Sequence, residues 1–201
     1  MITEISYPLL DKLIQTTKLN YPKGKVYDTR VEMGEVGIKR ARLSYFDALS
    51  TSYQFNPAGI DPTNTAQSIL NGYRFGLVLN VGALLQKPAY VKLAKKELEI
   101  AQFEKGSFDL NLEAMVKERY FIYVQRVTIL KLISGALFDV ESMLKQVRYK
   151  FEKGEETLES YNRILLQYST QVQSKISAES EVLIAKSSLE ELLGKKLEDV
   201  K

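Results

Sequence analysis

The 201-residue sequence contains no cysteine, no histidine and no tryptophan. The lack of cysteine excludes disulfides and thiolate zinc sites, and the lack of histidine excludes Ser–His nucleophilic pairs and histidine proton shuttles. Glycine-rich phosphate loops of the GxGxxG or GxxxxGKS/T type are also missing. We therefore predict a protein that is not an enzyme and that has no cofactor-binding or metal site.

The sequence has little excess charge of either sign. It holds 28 Lys/Arg and 25 Asp/Glu, a net charge of +3, and the two signs are interspersed. A surplus this small predicts no nucleic-acid partner, and scattered carboxylates are more typical of solvated helix faces than of catalytic sites. No apolar run approaches eighteen residues, so we expect no transmembrane helix, and residues 1–15 lack the pattern of a secretory signal.

Proline is scarce, and none of the five prolines lies between Pro88 and Gly154. A helix over this segment would be roughly 95 Å long, and Gly106 or Gly135 could mark a bend or a close helix contact in it. Residues in alternating steps of four and three follow the 3.5-residue period of a left-handed coiled coil. They are Met115, Arg119, Ile122, Arg126, Ile129, Ile133, Ala136, Val140, Met143 and Val147. A second row beside it contains Val116, Tyr120, Tyr123, Val127, Leu130, Ser134, Leu137, Glu141 and Leu144. Two adjacent rows predict a neighbouring helix on each side, as in a bundle or the wall of a tube.

Two shorter helices are predicted before this segment. Pro22 should end a helix over residues 5–19, because proline cannot donate a backbone hydrogen bond and restricts the residue before it. A second helix should cover about 23–46, although Gly34 and Gly37 weaken its pattern.

A last helix is predicted after the long one. Gly154 can adopt the left-handed conformation that ends a helix, and Thr157 or Ser160 could cap the next, which should end at Gly194. This helix and the one before the strands together contain nearly as many residues as the long helix. The match in length predicts two shorter helices stacked end to end beside the long one.

The hydrophobic period changes to two in residues 47–55 and 71–81. The first segment places Leu49, Thr51, Tyr53 and Phe55 opposite Ala48, Ser50, Ser52 and Gln54. The second places Tyr73, Phe75, Leu77, Leu79 and Val81 opposite Gly72, Arg74, Gly76, Val78 and Asn80. Two alternating strands of about ten residues have the length and pattern of transmembrane β-barrel strands. A surface hairpin packed on helices would show the same alternation.

Short motifs along nearly the whole chain carry a family resemblance. They are Leu19-Asn20-Tyr21-Pro22, Ala41-Arg42-Leu43, Leu49-Ser50-Thr51-Ser52-Tyr53, Gly76-Leu77-Val78-Leu79-Asn80, Leu84-Leu85-Gln86, the set Arg148, Phe151, Gly154 and Leu158, Leu192-Leu193-Gly194, and Leu197-Glu198-Asp199. In order and spacing they resemble the structural repeat of TolC-like outer-membrane efflux proteins. One departure is at the turn, where Glu155-Glu156 follow the glycine and family members commonly have an apolar residue.

The resemblance implies a mainly α fold with long coiled-coil helices. A two-stranded antiparallel β segment would contribute to an oligomeric transmembrane β-barrel above a periplasmic α-helical tunnel. Residues 1–201 would form one repeat. Its parts would be helices at about 5–46, two membrane strands and their loop at 47–81, a long helix at 88–151, a periplasmic tip turn at 152–156 and a return helix at 157–193.

The function implied by the resemblance is that of a passive exit duct for efflux or type I secretion. The duct would lie in the bacterial outer membrane, extend into the periplasm and be driven by an inner-membrane pump. The residues expected to face lipid are Leu49, Tyr53, Phe55, Tyr73, Phe75, Leu77 and Leu79. Those expected to line the lumen are Ser50, Ser52, Arg74 and Asn80. The tip expected to bind a periplasmic adaptor contains Phe151, Gly154 and Leu158.

The expected partners are other copies of the chain, an adaptor, a pump and outer-membrane lipid. Family members typically carry two repeats and assemble as trimers, whereas this sequence holds one. The assembly would therefore be a hexamer if the chain is complete and a trimer if it is half of a longer protein. The competing hypothesis is a non-channel, elongated coiled-coil scaffold or interaction protein whose hairpin seals one end of a helical bundle.

Overall fold

The structure is a computed structural model that describes residues 5–56 and 72–200, without the side chains at 56 and 72–74. Its elements, in chain order, are α1 (Tyr7–Asn20), α2 (Pro22–Leu43), a 3₁₀ helix (Ser44–Ala48), β1 (Leu49–Asn56), β2 (Gly72–Leu79), α3 (Val81–Glu152), α4 (Leu158–Leu193) and a second 3₁₀ helix (Leu197–Asp199). The mainly α fold with a two-stranded antiparallel segment is confirmed. The predicted loop between the strands, at 57–71, lies outside the described residues.

The boundary between α1 and α2 follows from Pro22. The preceding residue, Tyr21, is extended, with φ −67° and ψ 117°. Pro22 is the first residue of α2, where a missing amide hydrogen removes no intrahelical bond. At its other end α1 is capped by Ser6, whose Oγ accepts from the Leu9 amide at 3.4 Å.

The long helix α3 begins at Val81, seven residues before the predicted start, and Pro88 lies inside it. Asn80 explains this start. Its side-chain oxygen accepts from the Ala83 amide at 3.0 Å, and its carbonyl accepts from the Leu84 amide at 3.2 Å. The cap starts the helix upstream of the proline, which then removes only one backbone hydrogen bond from it.

The chain divides into two compact units. The helical unit extends through Lys25 and from Ser107 onward, so it contains α1, the later part of α3 and α4. The hairpin unit is Val26–Gly106 and contains most of α2, the two strands and the first part of α3.

Three helices share the core of the helical unit. Its fully buried side chains, each at most 3% exposed, are Leu10, Leu13 and Thr17 of α1, Leu112, Val116 and Tyr120 of α3, and Leu189, Leu192 and Leu193 of α4. The spacing of three and four in α1, and of four in α3, presents one stripe of each helix to the core. The Tyr120 hydroxyl satisfies its polar end by accepting from the Ser6 amide at 2.9 Å.

In the hairpin unit, α2 contacts α3 without burying any residue of its own. The two helices approach closely at Gly34, where an added Cβ would lie 3.0–3.2 Å from Leu98 atoms. Arg30 Nη1 pairs with Glu104 Oε2 at 2.7 Å nearby. Gly34 thus permits a helix contact that a larger side chain would obstruct, although glycine lowers intrinsic helix stability by about 1 kcal/mol.

Apolar side chains remain exposed on every long helix. Examples that are at least 60% exposed are Met33 and Val36 of α2, Phe103, Leu132 and Phe138 of α3, and Leu166, Leu183 and Ile184 of α4. Averaged over an 18-residue window, α3 also has the length and apolar composition of a membrane span, with 6% of that window buried. The expectation of no transmembrane helix rested on the length of uninterrupted apolar runs, and an average over 18 residues tolerates the polar residues that interrupt such runs. This part of α3 therefore presents uncovered apolar surface.

Candidate membrane hairpin and tip turn

The register of the hairpin brings the two predicted apolar faces together. Leu49 lies opposite Leu79, Thr51 opposite Leu77, Tyr53 opposite Phe75, and Phe55 opposite Tyr73. Residues directly opposite each other in an antiparallel pair project from the same face of the sheet. The residues predicted to face lipid therefore share one face of the hairpin.

This apolar face is open in the hairpin unit. The rings of Tyr53 and Phe75 lie with centroids 5.3 Å apart, yet these residues are 59% and 82% exposed. Leu49, Phe55, Leu77 and Leu79 are between 47% and 70% exposed. Helices packed on this face would lower these values, so the described residues do not support a hairpin whose apolar face is covered by its own chain.

The opposite face is built from smaller side chains. Ser52 lies opposite Gly76, and an added Cβ at 76 would come within 2.4 Å of the serine Oγ. Ser50 Oγ donates to the Val78 carbonyl at 3.5 Å. A larger residue at 76 would have to displace Ser52, so the two strands favour small residues at this pair.

Two of the predicted strand residues, Tyr73 and Arg74, have side chains outside the described part of the chain. Their backbones lie in β2, with position 74 opposite Gln54 on the polar face. Asn80, predicted to line the lumen, lies just after β2, where its side chain caps α3. Its amide donates to the Ala48 carbonyl at 2.9 Å, which closes the base of the hairpin.

The tip turn between α3 and α4 is formed by the predicted glycine. Gly154 has φ +76°, in the left-handed region. Its amide donates to the Phe151 carbonyl at 3.0 Å, and the Glu155 amide donates to the Lys150 carbonyl at 2.9 Å. These two bonds form a Schellman motif, which satisfies carbonyls at the end of α3 and favours glycine at this position.

The start of α4 uses the first of the two predicted caps. Thr157 Oγ1 accepts from the Ser160 amide at 3.1 Å. Of the predicted tip residues, Leu158 is 58% exposed and Phe151 is 37% exposed. The Phe151 ring stacks on Tyr161 with centroids 5.5 Å apart. Tyr161 could not be predicted from the sequence, because an isolated tyrosine one turn into a helix carries no local signal.

The two arginines in the first coiled-coil row of α3 face α4. Arg126 Nη1 pairs with Glu181 Oε2 at 2.7 Å, and Arg119 Nη1 pairs with Glu191 Oε2 at 2.7 Å. Gln171 Nε2 donates to the Ile133 carbonyl at 3.5 Å along the same contact. The row therefore marks the face of α3 that contacts the return helix, and its two charged positions form ion pairs across that contact.

An ion pair between Lys18 and Glu113 also joins α1 to α3. Glu113 accepts hydrogen bonds from Lys117, within α3, at 2.8 Å and from Lys18 at 3.2 Å, and these bonds lower the pKa of the Glu113 carboxyl. At the end of α4, a hydrogen bond to Glu198 raises the pKa of Lys186. All three pairs reach solvent, and none lies in a cluster that resembles a catalytic or metal site. Within the described ranges, no group of three or more acidic side chains could hold a metal ion.

No protein-family model and no curated protein matches the sequence. Several solved structures are similar to it, among them the following two. A membrane protein from Pseudomonas aeruginosa aligns with a TM-score of 0.75 and 15% identity over 96% of this chain and 46% of its own chain. The outer membrane protein VceC from Vibrio cholerae aligns with a TM-score of 0.70 and 15% identity over 95% of this chain and 48% of its own. The chain therefore spans about half the length of each, and it has a TolC-like fold.

Proposed function

We propose that this chain is a subunit of an outer-membrane exit duct for efflux or type I secretion. The observation that carries the proposal is the hairpin, with one apolar, exposed face and one face of small residues. The TolC-like fold supports it, since the similar structures are a membrane protein and an outer membrane protein. The duct would be passive, with energy supplied by an inner-membrane pump.

The described strands account for most of the apolar thickness of an outer membrane. Each strand contains eight residues, and at about 3.3 Å per residue it would be about 26 Å long. Tilted by about 40°, as barrel strands are, it would rise about 20 Å through the roughly 25 Å apolar band of outer-membrane barrels. Leu49, Tyr53, Phe55, Tyr73, Phe75, Leu77 and Leu79 would face lipid. Ser50, Ser52, Arg74 and Asn80 would line the water-filled lumen.

One hairpin cannot close a barrel, because each strand leaves an unpaired edge that a membrane does not tolerate. The duct therefore requires further copies: a hexamer if each subunit has one hairpin, or a trimer if this chain is half of a longer protein. The exposed apolar residues of α2, α3 and α4 support assembly, since neighbouring subunits would remove them from water.

At the tip turn, Phe151, Gly154 and Leu158 would contact a periplasmic adaptor. The Schellman motif holds this turn in one conformation, and Leu158 leaves 58% of its surface available to a partner. Changes in helix packing at the tip would open and close the duct. A cysteine introduced at Leu158 should crosslink to the adaptor in cells that express the complete pump, whereas a cysteine at the exposed, polar Glu118 of α3 should not.

The deciding experiment measures oligomer mass and conductance on the same sample. The purified chain in detergent should give a hexamer, or a trimer of the longer protein, and discrete conductance steps in planar bilayers. A monomer that stays soluble without detergent and gives no conductance would contradict the duct and favour the coiled-coil scaffold. Absence of the chain from the outer-membrane fraction would contradict the proposed location.

A further inference from the structure

The positive charge of the chain is concentrated beside the hairpin. Residues 38–48 and 80–96 contain seven Lys/Arg and one acidic residue, Asp47. The rest of the chain holds 21 Lys/Arg and 24 Asp/Glu, so these two segments account for the whole positive surplus. The four basic residues nearest to the strands in sequence form what we term the basic cluster: Lys39, Arg40, Arg42 and Lys87.

Cations of the basic cluster lack the carboxylate partners that are common elsewhere in the chain. Among the described residues, Lys39, Arg40 and Arg42 have no carboxylate within 4.0 Å. Lys87 Nζ lies 4.0 Å from an oxygen of Asp47, at the limit of an ion pair. Four uncompensated or weakly compensated cations produce a local positive potential that favours an anionic partner.

Two members of the cluster line one groove between α2 and α3, within the hairpin unit. The groove has a volume of about 410 Å³ and is lined by Gly37, Arg40, Ala41, Ser44, Lys87, Tyr90, Leu93, Ala94 and Glu97. The Lys87 side chain is only 13% exposed, and its Nζ lies 6.0 Å from the centroid of the Tyr90 ring. The groove thus combines two cations and the hydroxyls of Ser44 and Tyr90 with apolar walls, and Glu97 is its single carboxylate.

Exposed apolar side chains adjoin the ends of the strands next to this cluster. Leu43 and Phe46 precede β1 and are 63% and 74% exposed, while Val81 and Leu85 follow β2 and are 58% and 78% exposed. Basic residues beside exposed aromatic and aliphatic residues are typical of segments at a membrane–water interface.

We propose that the basic cluster binds the phosphate groups of anionic glycerophospholipids where the hairpin enters the membrane. The proposal rests on the proposed function, since it takes the strands as membrane-spanning. At 1.5 Å per residue, Lys87 lies about 9 Å along α3 from Val81, within one Debye length of the surface that the strands would define. A soluble phosphate would account for the cations but not for the apolar residues around them.

The test is flotation of the full chain with vesicles of phosphatidylcholine alone or with 30% phosphatidylglycerol. Each basic residue near an anionic surface contributes roughly a factor of five to partitioning. The Arg40→Gln/Arg42→Gln/Lys87→Gln variant should therefore lose about 100-fold of the preference for phosphatidylglycerol. The charge-matched control is Lys12→Gln/Lys150→Gln/Arg163→Gln, which removes three exposed cations of the helical unit and should retain that preference.

The outcomes separate this proposal from the function on which it rests. The lipid site would be overturned if the variant and the control lose the preference for phosphatidylglycerol equally, or if neither loses it. Flotation with phosphatidylcholine vesicles would in that case still support membrane-spanning strands. Failure of the wild type to float with either vesicle would overturn both proposals. Arg40→Lys/Arg42→Lys keeps the charge and should keep the preference, which separates charge from a folding defect.

Discussion

Replacing Gly154 by alanine tests the conformation of the tip turn, with the same substitution at Gly135 as its control. Gly154 has φ +76°, and an added Cβ there would meet no atom within 4 Å. The effect is therefore one of backbone conformation alone. A left-handed alanine costs about 1–2 kcal/mol, so Gly154→Ala should lower the free energy of unfolding by about 1 kcal/mol.

Gly135 lies within α3, where an added Cβ also meets nothing within 4 Å. Alanine is favoured over glycine by about 1 kcal/mol inside a helix, so Gly135→Ala should raise the free energy of unfolding. The two variants should differ by about 2 kcal/mol although their chemical change is identical. Gly154→Asn should fall between Gly154→Ala and the wild type, because asparagine tolerates the left-handed conformation.

The assay is urea unfolding of each purified full-length variant in detergent, followed by far-UV circular dichroism. Midpoints are compared only where the slopes agree, so that a shift reports stability. If Gly154→Ala and Gly135→Ala shift the midpoint in the same direction, the left-handed turn is not what stabilises this segment. A stabilised Gly154→Ala variant would refute the argument directly.

Three further predictions concern the hairpin, the helix contact and pH. Leu77→Arg should weaken vesicle insertion by about 2–4 kcal/mol because it places charge against lipid, whereas Ser50→Arg on the opposite face should insert normally; equal insertion of the two would contradict the assigned faces. Gly34→Val should lower the melting temperature because its side chain collides with α3, while a matched Gly37→Val change meets open space and should leave it unchanged or raise it slightly. Two lysines depress the pKa of Glu113, so the stability they provide is present above the ordinary carboxyl pKa and lost as pH falls through the lowered value. In the Glu113→Gln variant the melting temperature should therefore fall less between about pH 5 and pH 3 than in the wild type. If the two proteins lose the same amount of melting temperature over this range, protonation of Glu113 is not a cause of the acid destabilisation.

Features that depend on a few neighbouring residues were accessible from the sequence. The left-handed glycines at 154 and 194, the cap at Thr157 and the break at Pro22 all follow from local backbone preferences. The start of α3 was not predicted, because the Asn80 cap outweighs the more conspicuous signal of Pro88. Asn80 also continues the alternating pattern of the second strand, so the sequence assigns it to the strand and not to a helix cap.

Contacts between distant segments could not be read in the same way. Gly34 weakens the helical pattern of the sequence, yet it is where α2 approaches Leu98. Gly106 and Gly135, which could have marked a close helix contact, have open space around an added Cβ. The bond between Tyr120 and the Ser6 amide joins residues 114 positions apart. A glycine or a tyrosine has the same intrinsic preferences wherever it lies, so sequence spacing does not reveal which of them meets a partner.

The sequence by itself determined the periods: 3.5 along the helices and two along the strands, with local breaks at prolines and glycines. These periods follow from backbone geometry, and they sufficed to predict helices and an alternating hairpin. Only the tertiary structure decided that the apolar faces of the two strands coincide, that Arg119 and Arg126 face α4, and that Arg40 and Lys87 of the basic cluster line one groove. Register and helix pairing depend on interactions between segments far apart in sequence, and a period fixes which residues share a face but not what that face meets.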